Sequence, residues 1–363
     1  MIYNKMRMTR TSLLCITLLL YHLFFAYVGW NILISKNGDA YHYWFIGENL
    51  SDKSWSEFLR PGTNLVKFFT FPFVRYLQMP FWSGFMIFSL ISSLGFWILF
   101  KMVRQITSGN MYLFAIGYFC LLMPNFHLWT SIIGKEAILI VPLIIMLHEM
   151  YMKKYFSFLI IISFFCLAII RPHVSFIFVL SYVISIILTR TLSLKNKTIL
   201  FVGLIGCTGL LALLLTQLQD FSGGIPQVIR KYEAHISYFK KTKAYVPLDD
   251  YSISQKIFTF YFRPLPFEKN GFLYQVISIE NILLLIIVVL TIACSIKYFR
   301  TLKEDMLFVF PIVFMIFLAL MYIYAYANYG IILRTRTMTT PFLYIFIIKV
   351  LSIIKIKSTA KEV

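Results

Sequence analysis

The chain is 363 residues long, 60% hydrophobic and 18% aromatic, with a formal charge of +19. So little polar surface cannot cover a soluble globule of this size, and the composition describes a polytopic, all-α integral membrane protein. The positive charge does not point to nucleic acid, because the lysines and arginines lie mostly between apolar runs and form no stripe with a nucleic-acid motif.

The first apolar run, Thr11 to Ile34, follows Lys5, Arg7 and Arg10 as a signal segment would. It exceeds 20 residues and lacks a small-residue cleavage site, so it reads as a retained first span. In all, about ten crossings are expected within a single membrane domain covering 1–363: roughly 11–34, 82–100, 111–124, 137–152, 155–170, 173–189, 198–218, 281–297, 306–327 and 338–353. An even number puts both termini on one side. The segments facing that side are short and dense in cations, among them Lys101/Arg104, Lys153/Lys154 and Lys355/Lys357/Lys361, so both termini are expected in the cytoplasm.

The opposite side carries the length. A first extracytoplasmic loop, 35–81, holds Asn37-Gly38-Asp39-Ala40 and then Leu65–Met79, whose apolar residues with Lys67 and Arg75 suggest an interfacial helix. Between Tyr155 and Thr189 a long apolar run is interrupted by Arg171-Pro172-His173. Proline removes a backbone donor and arginine in hydrocarbon is costly, so the run divides into two spans there. Gly203, Gly206 and Gly209 put small residues along the seventh span, where a neighbouring helix would approach closely. A second long outer loop, 219–278, contains Val228, Ile229, Tyr232, Ile236 and Phe239 at helical spacing opposite Arg230, Lys231, Glu233 and Lys240, the pattern of an amphipathic helix.

Five polar clusters are thereby expected on the outer face: Asp39; Lys135-Glu136; Arg171-Pro172-His173; Arg263 with Glu268 and Glu280; and Arg334-Thr335-Arg336. Each has a plain reading. Asp39 suits a turn, Glu136 suits a helix N-terminus beside Lys135, and the arginines suit helix ends reaching toward headgroups. Taken together they suit a lipid-linked sugar phosphate: cations for the phosphate, a carboxylate to deprotonate an acceptor hydroxyl, and aromatic side chains for sugar faces. Asp39, Tyr41, His42 and Tyr43 together resemble the polar end of a sugar site. His22 and His127 read as packed or interfacial. The cysteines, Cys15, Cys120, Cys166, Cys207 and Cys294, fall in apolar segments without paired spacing, so no disulfide framework is implied. No metal and no other cofactor is expected.

An acidic residue in the first outer loop, an interfacial helix, short paired spans and a long later outer loop resemble the GT-C membrane glycosyltransferases. Gly134-Lys135-Glu136, Arg171-Pro172-His173 and Arg334-Thr335-Arg336 resemble more specifically the Wzy-type O-antigen and exopolysaccharide repeat-unit polymerases. The resemblance implies a bacterial inner-membrane enzyme that joins undecaprenyl-diphosphate-linked oligosaccharides at the periplasmic face, among membrane lipids and with a chain-length regulator protein as partner. Carried over by position, Arg171, Arg334 and Arg336 hold the diphosphate, with Lys135 or Arg263 assisting. Asp39 matches the catalytic acid, though many members carry two acidic residues where this chain has Gly-Asp-Ala, and Glu48 or Asp52 are nearby substitutes. His42, Tyr43, Glu136 and His173 would face the sugars. Two alternatives stay open: a GT-C transferase that adds one sugar from a polyprenyl-phosphate donor, and a lipid-linked oligosaccharide flippase.

Overall fold

The computed structural model describes residues 2–35, 38–45, 53–189, 198, 202, 203, 205, 206, 209, 224–242 and 244–359, with side chains for all of these except 2–9, 224–226, 228, 229, 231, 232, 235 and 354–359. Among them every regular element is helical. The chain divides into two compact units, Met1–Ile170 and Arg171–Val363. The expected span 198–218 lies largely outside the described residues. An added Cβ at Gly203, Gly206 or Gly209 would meet no described atom within 4 Å.

The first unit contains α1 (Ile2–Leu33), α2 (Asp39–Phe45), α3 (Thr63–Phe71), α4 (Phe81–Ile106), α5 (Met111–Leu121), α6 (Pro124–Thr130), α7 (Lys135–Tyr151) and α8 (Phe158–Ile170). Helix α4 packs against α1 on one side and α7 on the other, and α7 packs against α8. Helices in lipid gain little from hiding apolar surface from one another, so close packing of small residues has to bring them together. Three glycines do this. A Cβ on Gly29 of α1 would lie 2.5 Å from Ile132, and one on Gly95 of α4 would lie 2.9 Å from Ile144 of α7. A Cβ on Gly84 of α4 would enter the ring of Trp44 and come within 2.6 Å of Ile133 Cδ1. Gly84→Ala is therefore expected to destabilise the protein by about 1–3 kcal/mol, because an indole cannot yield as a flexible chain end does. Thermal unfolding of the detergent-solubilised protein checks this, with Gly38→Ala, which meets nothing within 4 Å, as the neutral reference.

Helices α5 and α6 meet at a 45° bend. Pro124 has no amide to offer and holds Met123 in an extended conformation, so the ladder stops at Leu121. His127 fills the gap, its Nε2 donating to the Leu121 carbonyl at 2.6 Å. With Nε2 as the donor, Nδ1 of His127 accepts from Nδ1 of His22 at 3.0 Å, and His22 Nε2 accepts from Ser92 at 2.7 Å. Both imidazoles are fully buried, with Phe96 centroids 4.3 and 4.4 Å from theirs. Of the two expected readings, packed or interfacial, the packed one holds: the two histidines form a polar clasp joining α1, α4 and α6.

The second unit contains α9 (Pro172–Thr189), α10 (Gly224–Lys240), α11 (Ile253–Phe262), α12 (Phe272–Lys297), a single turn at Phe299–Leu302, α13 (Met306–Ala325), α14 (Tyr329–Thr335) and α15 (Thr340–Thr359). Helix α13 packs on α9, α11 and α15, and α12 packs on α11 and α15. Phe178, Phe310, Phe314 and Phe342 interlock at centroid distances of 4.9 to 6.3 Å where α9, α13 and α15 meet. Asp305 caps α13 through the Leu307 amide and is bridged at 2.8 Å by Lys349 of α15. The amphipathic pattern forms α10: Ile236 and Phe239 are buried while Arg230, Glu233 and Lys240 are exposed.

Large apolar side chains stay exposed along α1, α8 and α12, including Leu20 and Phe24, Ile161 and Phe165, and Ile286 and Leu290. Contiguous apolar helix surface of this kind faces lipid, and the protein is membrane-embedded. Where ten crossings are expected, the described residues hold five helices long and apolar enough to span, or up to seven if each of two bent pairs is one span. The difference has physical causes. Helix α8 has 13 residues and covers only about 20 Å. The expected span 111–124 continues through the bend into α6, and the expected span 338–353 is preceded by α14 at a 56° bend. Helix α12 starts at Phe272 rather than near 281, so Glu280, expected on the outer face just ahead of the span, lies inside a helix. The interfacial helix expected over 65–79 is α3 followed by a π turn at Pro72–Tyr76.

Candidate functional site

The second unit gathers three of the five expected clusters, and α11 is the element that links them. Its ends are set by sequence. Ser252 accepts from the Gln255 amide and the Gln255 side chain returns to the Ser252 amide, a reciprocal cap that starts the helix. Pro264 forces Arg263 into an extended conformation and ends it.

Beyond that end, Arg263 meets Glu268 through paired bonds: Nε lies 2.9 Å from both carboxylate oxygens and Nη2 lies 2.8 Å from Oε1. The Leu265 amide and the Tyr329 hydroxyl also donate to Oε2, at 2.9 and 3.2 Å, and Arg263 Nη1 donates to Tyr251 at 2.8 Å. Partial burial pushes the Glu268 carboxyl up, but these donors and the guanidinium charge outweigh it and hold Glu268 below its ordinary range. A carboxyl depressed in the folded state contributes stability above its unfolded pKa and loses it as pH falls through the lower folded value. The clasp is thus expected to hold at neutral pH and weaken below about 4.3. Unfolding curves between about pH 6 and pH 3 check it: the acid loss of stability shrinks in Glu268→Gln.

Arg336 is buried, and both ends of its fork are engaged. Nη1 donates to the Tyr261 carbonyl of α11 at 2.9 Å, and Nη2 donates to Oδ1 of Asn281 at 2.8 Å. Asn281 in turn donates to the Pro264 carbonyl at 2.8 Å, which ties the Arg263 turn to α12. The buried Glu280 carboxylate acts on Arg336 electrostatically. Arg334, half-buried at the end of α14, precedes this bridge by two residues, and its carbonyl accepts from Thr337 at 2.6 Å.

At the start of α9, Arg171 is nearly buried, and its carbonyl accepts from the Val174 and Ser175 amides. Its Nη1 donates to the Tyr322 hydroxyl at 2.6 Å, and His173 Nε2 lies 3.3 Å from the same oxygen. The Tyr322 ring stacks on Phe260 of α11 with centroids 6.2 Å apart. Consecutive residues of α11, Phe260 and Tyr261, thus reach the Arg171 and Arg336 groups, and Arg263 at its end reaches Glu268.

The other two clusters belong to the first unit. Asp39 is exposed in the first turn of α2, where the helix N-terminus favours a carboxylate. His42 is exposed as well. Tyr43, expected to face sugar, is buried, and its carbonyl accepts from Thr70 of α3 at 2.7 Å, so its ring has no face to offer a ligand. Trp44 is the next buried residue, and with Ile133 it packs on Gly84, which brings α2 and the loop before Lys135 to one place on α4. Lys135 is half-buried at the start of α7. Glu136, also expected to face sugar, is buried within the unit. Glu48 and Asp52 lie outside the described residues.

Sequence reasoning passes over Tyr322 and Asn281. Neither carries a charge: Tyr322 sits among apolar and aromatic neighbours, and Asn281 reads as the edge of a span beside Glu280. No family model, curated protein or solved structure matches the chain.

Proposed function

We propose that this protein is a membrane glycosyltransferase of surface-polysaccharide assembly, joining undecaprenyl-diphosphate-linked repeat units at the periplasmic face of a bacterial inner membrane with both termini in the cytoplasm. One observation carries the reading. In the second unit four guanidinium groups, Arg171, Arg263, Arg334 and Arg336, stand with two carboxylates, Glu268 and Glu280, among apolar helices. An excess of cations in such surroundings favours a multiply charged anion, and the planar fork of arginine matches phosphate oxygens.

Within this reading Arg263 and Arg336, each held by two or more partners, keep the frame, and Arg171 and Arg334, which the resemblance puts on the diphosphate, grip it. In the reaction an acceptor sugar hydroxyl attacks the anomeric carbon of the donor repeat unit. The bond from that carbon to the diphosphate breaks, undecaprenyl diphosphate leaves with the electron pair, and the hydroxyl proton passes to a carboxylate.

Purified protein supplied with a lipid-diphosphate-linked repeat unit in detergent is expected to yield longer products and release undecaprenyl diphosphate. Folded protein that extends nothing overturns the reading. A flippase is the second reading, favoured by the helix pairs bent at 45° and 56°, since interrupted helices build many transporter sites. Translocation of the lipid-linked unit across vesicles without elongation would select it.

A further inference from the structure

The turn that joins α11 to α12 points two phenylalanine rings away from the protein: Phe267 is 91% exposed and Phe272 is 86% exposed. Phe267 is held out by its own backbone. Its φ is 66°, in the left-handed region that glycine enters freely and a residue with a side chain enters only with strain. The same turn does use a glycine, Gly271 at φ 113°. The other non-glycine residues with positive φ among those described, Gln78 and Lys153, are polar. A strained phenylalanine whose ring stays outside therefore serves its ring rather than the turn.

The turn is braced at both ends, so the ring keeps its place. The Glu268 amide donates to the Leu265 carbonyl at 3.2 Å, and the Leu265 amide donates to Glu268 Oε2 at 2.9 Å, on the carboxylate that Arg263 also holds. Further on, the Gln275 side chain donates to the Lys269 carbonyl at 2.9 Å and the Gln275 amide to the Gly271 carbonyl at 3.1 Å.

What covers the rings follows from α12. Phe272 is its first residue, and Ile279, Leu283, Ile286 and Leu290 are exposed further along it. At about 100° per residue these five fall within about 60° of one another, so Phe272 opens the stripe that faces lipid. With 26 residues α12 is about 39 Å long, close to the full thickness of hydrocarbon and headgroups together, about 40–45 Å. Its first turn accordingly sits in a headgroup layer, where aromatic rings settle and help to set the height and tilt of a span.

We propose that Phe267 and Phe272 are a lipid anchor: the braced turn presses both rings into the interfacial layer of the leaflet at the Phe272 end of α12 and so fixes the depth at which Arg263 and Glu268 meet the headgroups. The anchor does not depend on which reaction the second unit performs.

A tryptophan at 267 reads its surroundings, with Asn270→Trp, exposed on the same turn, as the reference. Both variants are reconstituted in phosphatidylcholine vesicles, and the emission of the wild type, which has six tryptophans, is subtracted. The emission added by Phe267→Trp is expected at shorter wavelength than that of Asn270→Trp, mostly lost when the lipid carries bromine on its acyl chains, and resistant to iodide in the water. Phe267→Gly keeps the left-handed turn and removes the ring. It is expected to unfold in detergent at or above the wild-type temperature. Combined with Phe272→Trp, it is expected to lessen the quenching of that tryptophan by brominated lipid, because the depth of the turn is no longer held.

Emission from Phe267→Trp that matches Asn270→Trp and yields to iodide would overturn the proposal. So would emission shielded from iodide and brominated lipid alike, with the shielding growing as protein is packed more densely, since a second copy of the chain would then be the cover. Unchanged quenching of Phe272→Trp beside Phe267→Gly would overturn it too, as would a Phe267→Gly protein that unfolds well below the wild type, because the ring would then belong to the fold.

Discussion

Arg336→Ala is expected to lower the stability of the protein by about 3–5 kcal/mol and to reduce the folded, monodisperse fraction recovered from membranes. The size follows from what the guanidinium leaves behind. The Tyr261 carbonyl and Asn281 Oδ1 lose their donors in a buried setting, each costing about 1–3 kcal/mol, and the buried Glu280 loses its cationic neighbour. The damage extends further, because Asn281 also holds the Pro264 carbonyl and through it the Arg263–Glu268 turn. Arg336→Lys restores the charge but not the two-pronged geometry, so its loss is expected to be intermediate. Unfolding curves of the three proteins in one detergent decide the matter. Wild-type stability in Arg336→Ala would mean that water replaces the guanidinium and that the bridge does not hold the unit together.

That bridge also explains where sequence reasoning stopped. The division at Arg171-Pro172 was legible, because a proline without an amide and a cation in an apolar run both oppose helix continuation; α8 ends at Ile170 and α9 starts at Pro172. The amphipathic α10 was legible from its helical spacing. The start of α12 was not. Glu280 and Asn281 look like the edge of a loop when hydropathy alone is counted, yet they sit inside the helix, where Arg336, more than fifty residues later, bonds Asn281 and feels the charge of Glu280. Polarity reads as exposure until the partner is known.

The same limit governs His22 and His127. They are 105 residues apart, and nothing local in either segment announces a bond between their rings. The proline at 124 marks the break in the helix but not its repair, since the donor to the Leu121 carbonyl at the break is a side chain from the next helix. For the site, the charged members were legible by type and position. The uncharged groups that orient them, Tyr322 and Asn281, were not, and the burial of Tyr43 and Glu136 follows from packing around Gly84 and α7 that composition does not encode.

Arg171→Ala is expected to abolish polymer while the protein still inserts into the membrane. An arginine fork that meets phosphate oxygens as charge develops on the leaving diphosphate contributes to the transition state, and removal of one such donor typically slows turnover about 10²–10³-fold. A polymer built by repeated transfer shows that loss compounded, so the glycan ladder should shrink to a single repeat unit. Arg171→Lys keeps the charge on a different geometry and should give short chains rather than none. The two variants separate chemistry from folding, because both remove the Nη1 contact to Tyr322 while only one removes the cation. Glycan gels, with protein level in the membrane fraction measured in parallel, give the answer. A wild-type ladder from Arg171→Ala at normal protein level would take Arg171 out of the mechanism, and with it the cation that shares the Tyr322 hydroxyl with His173.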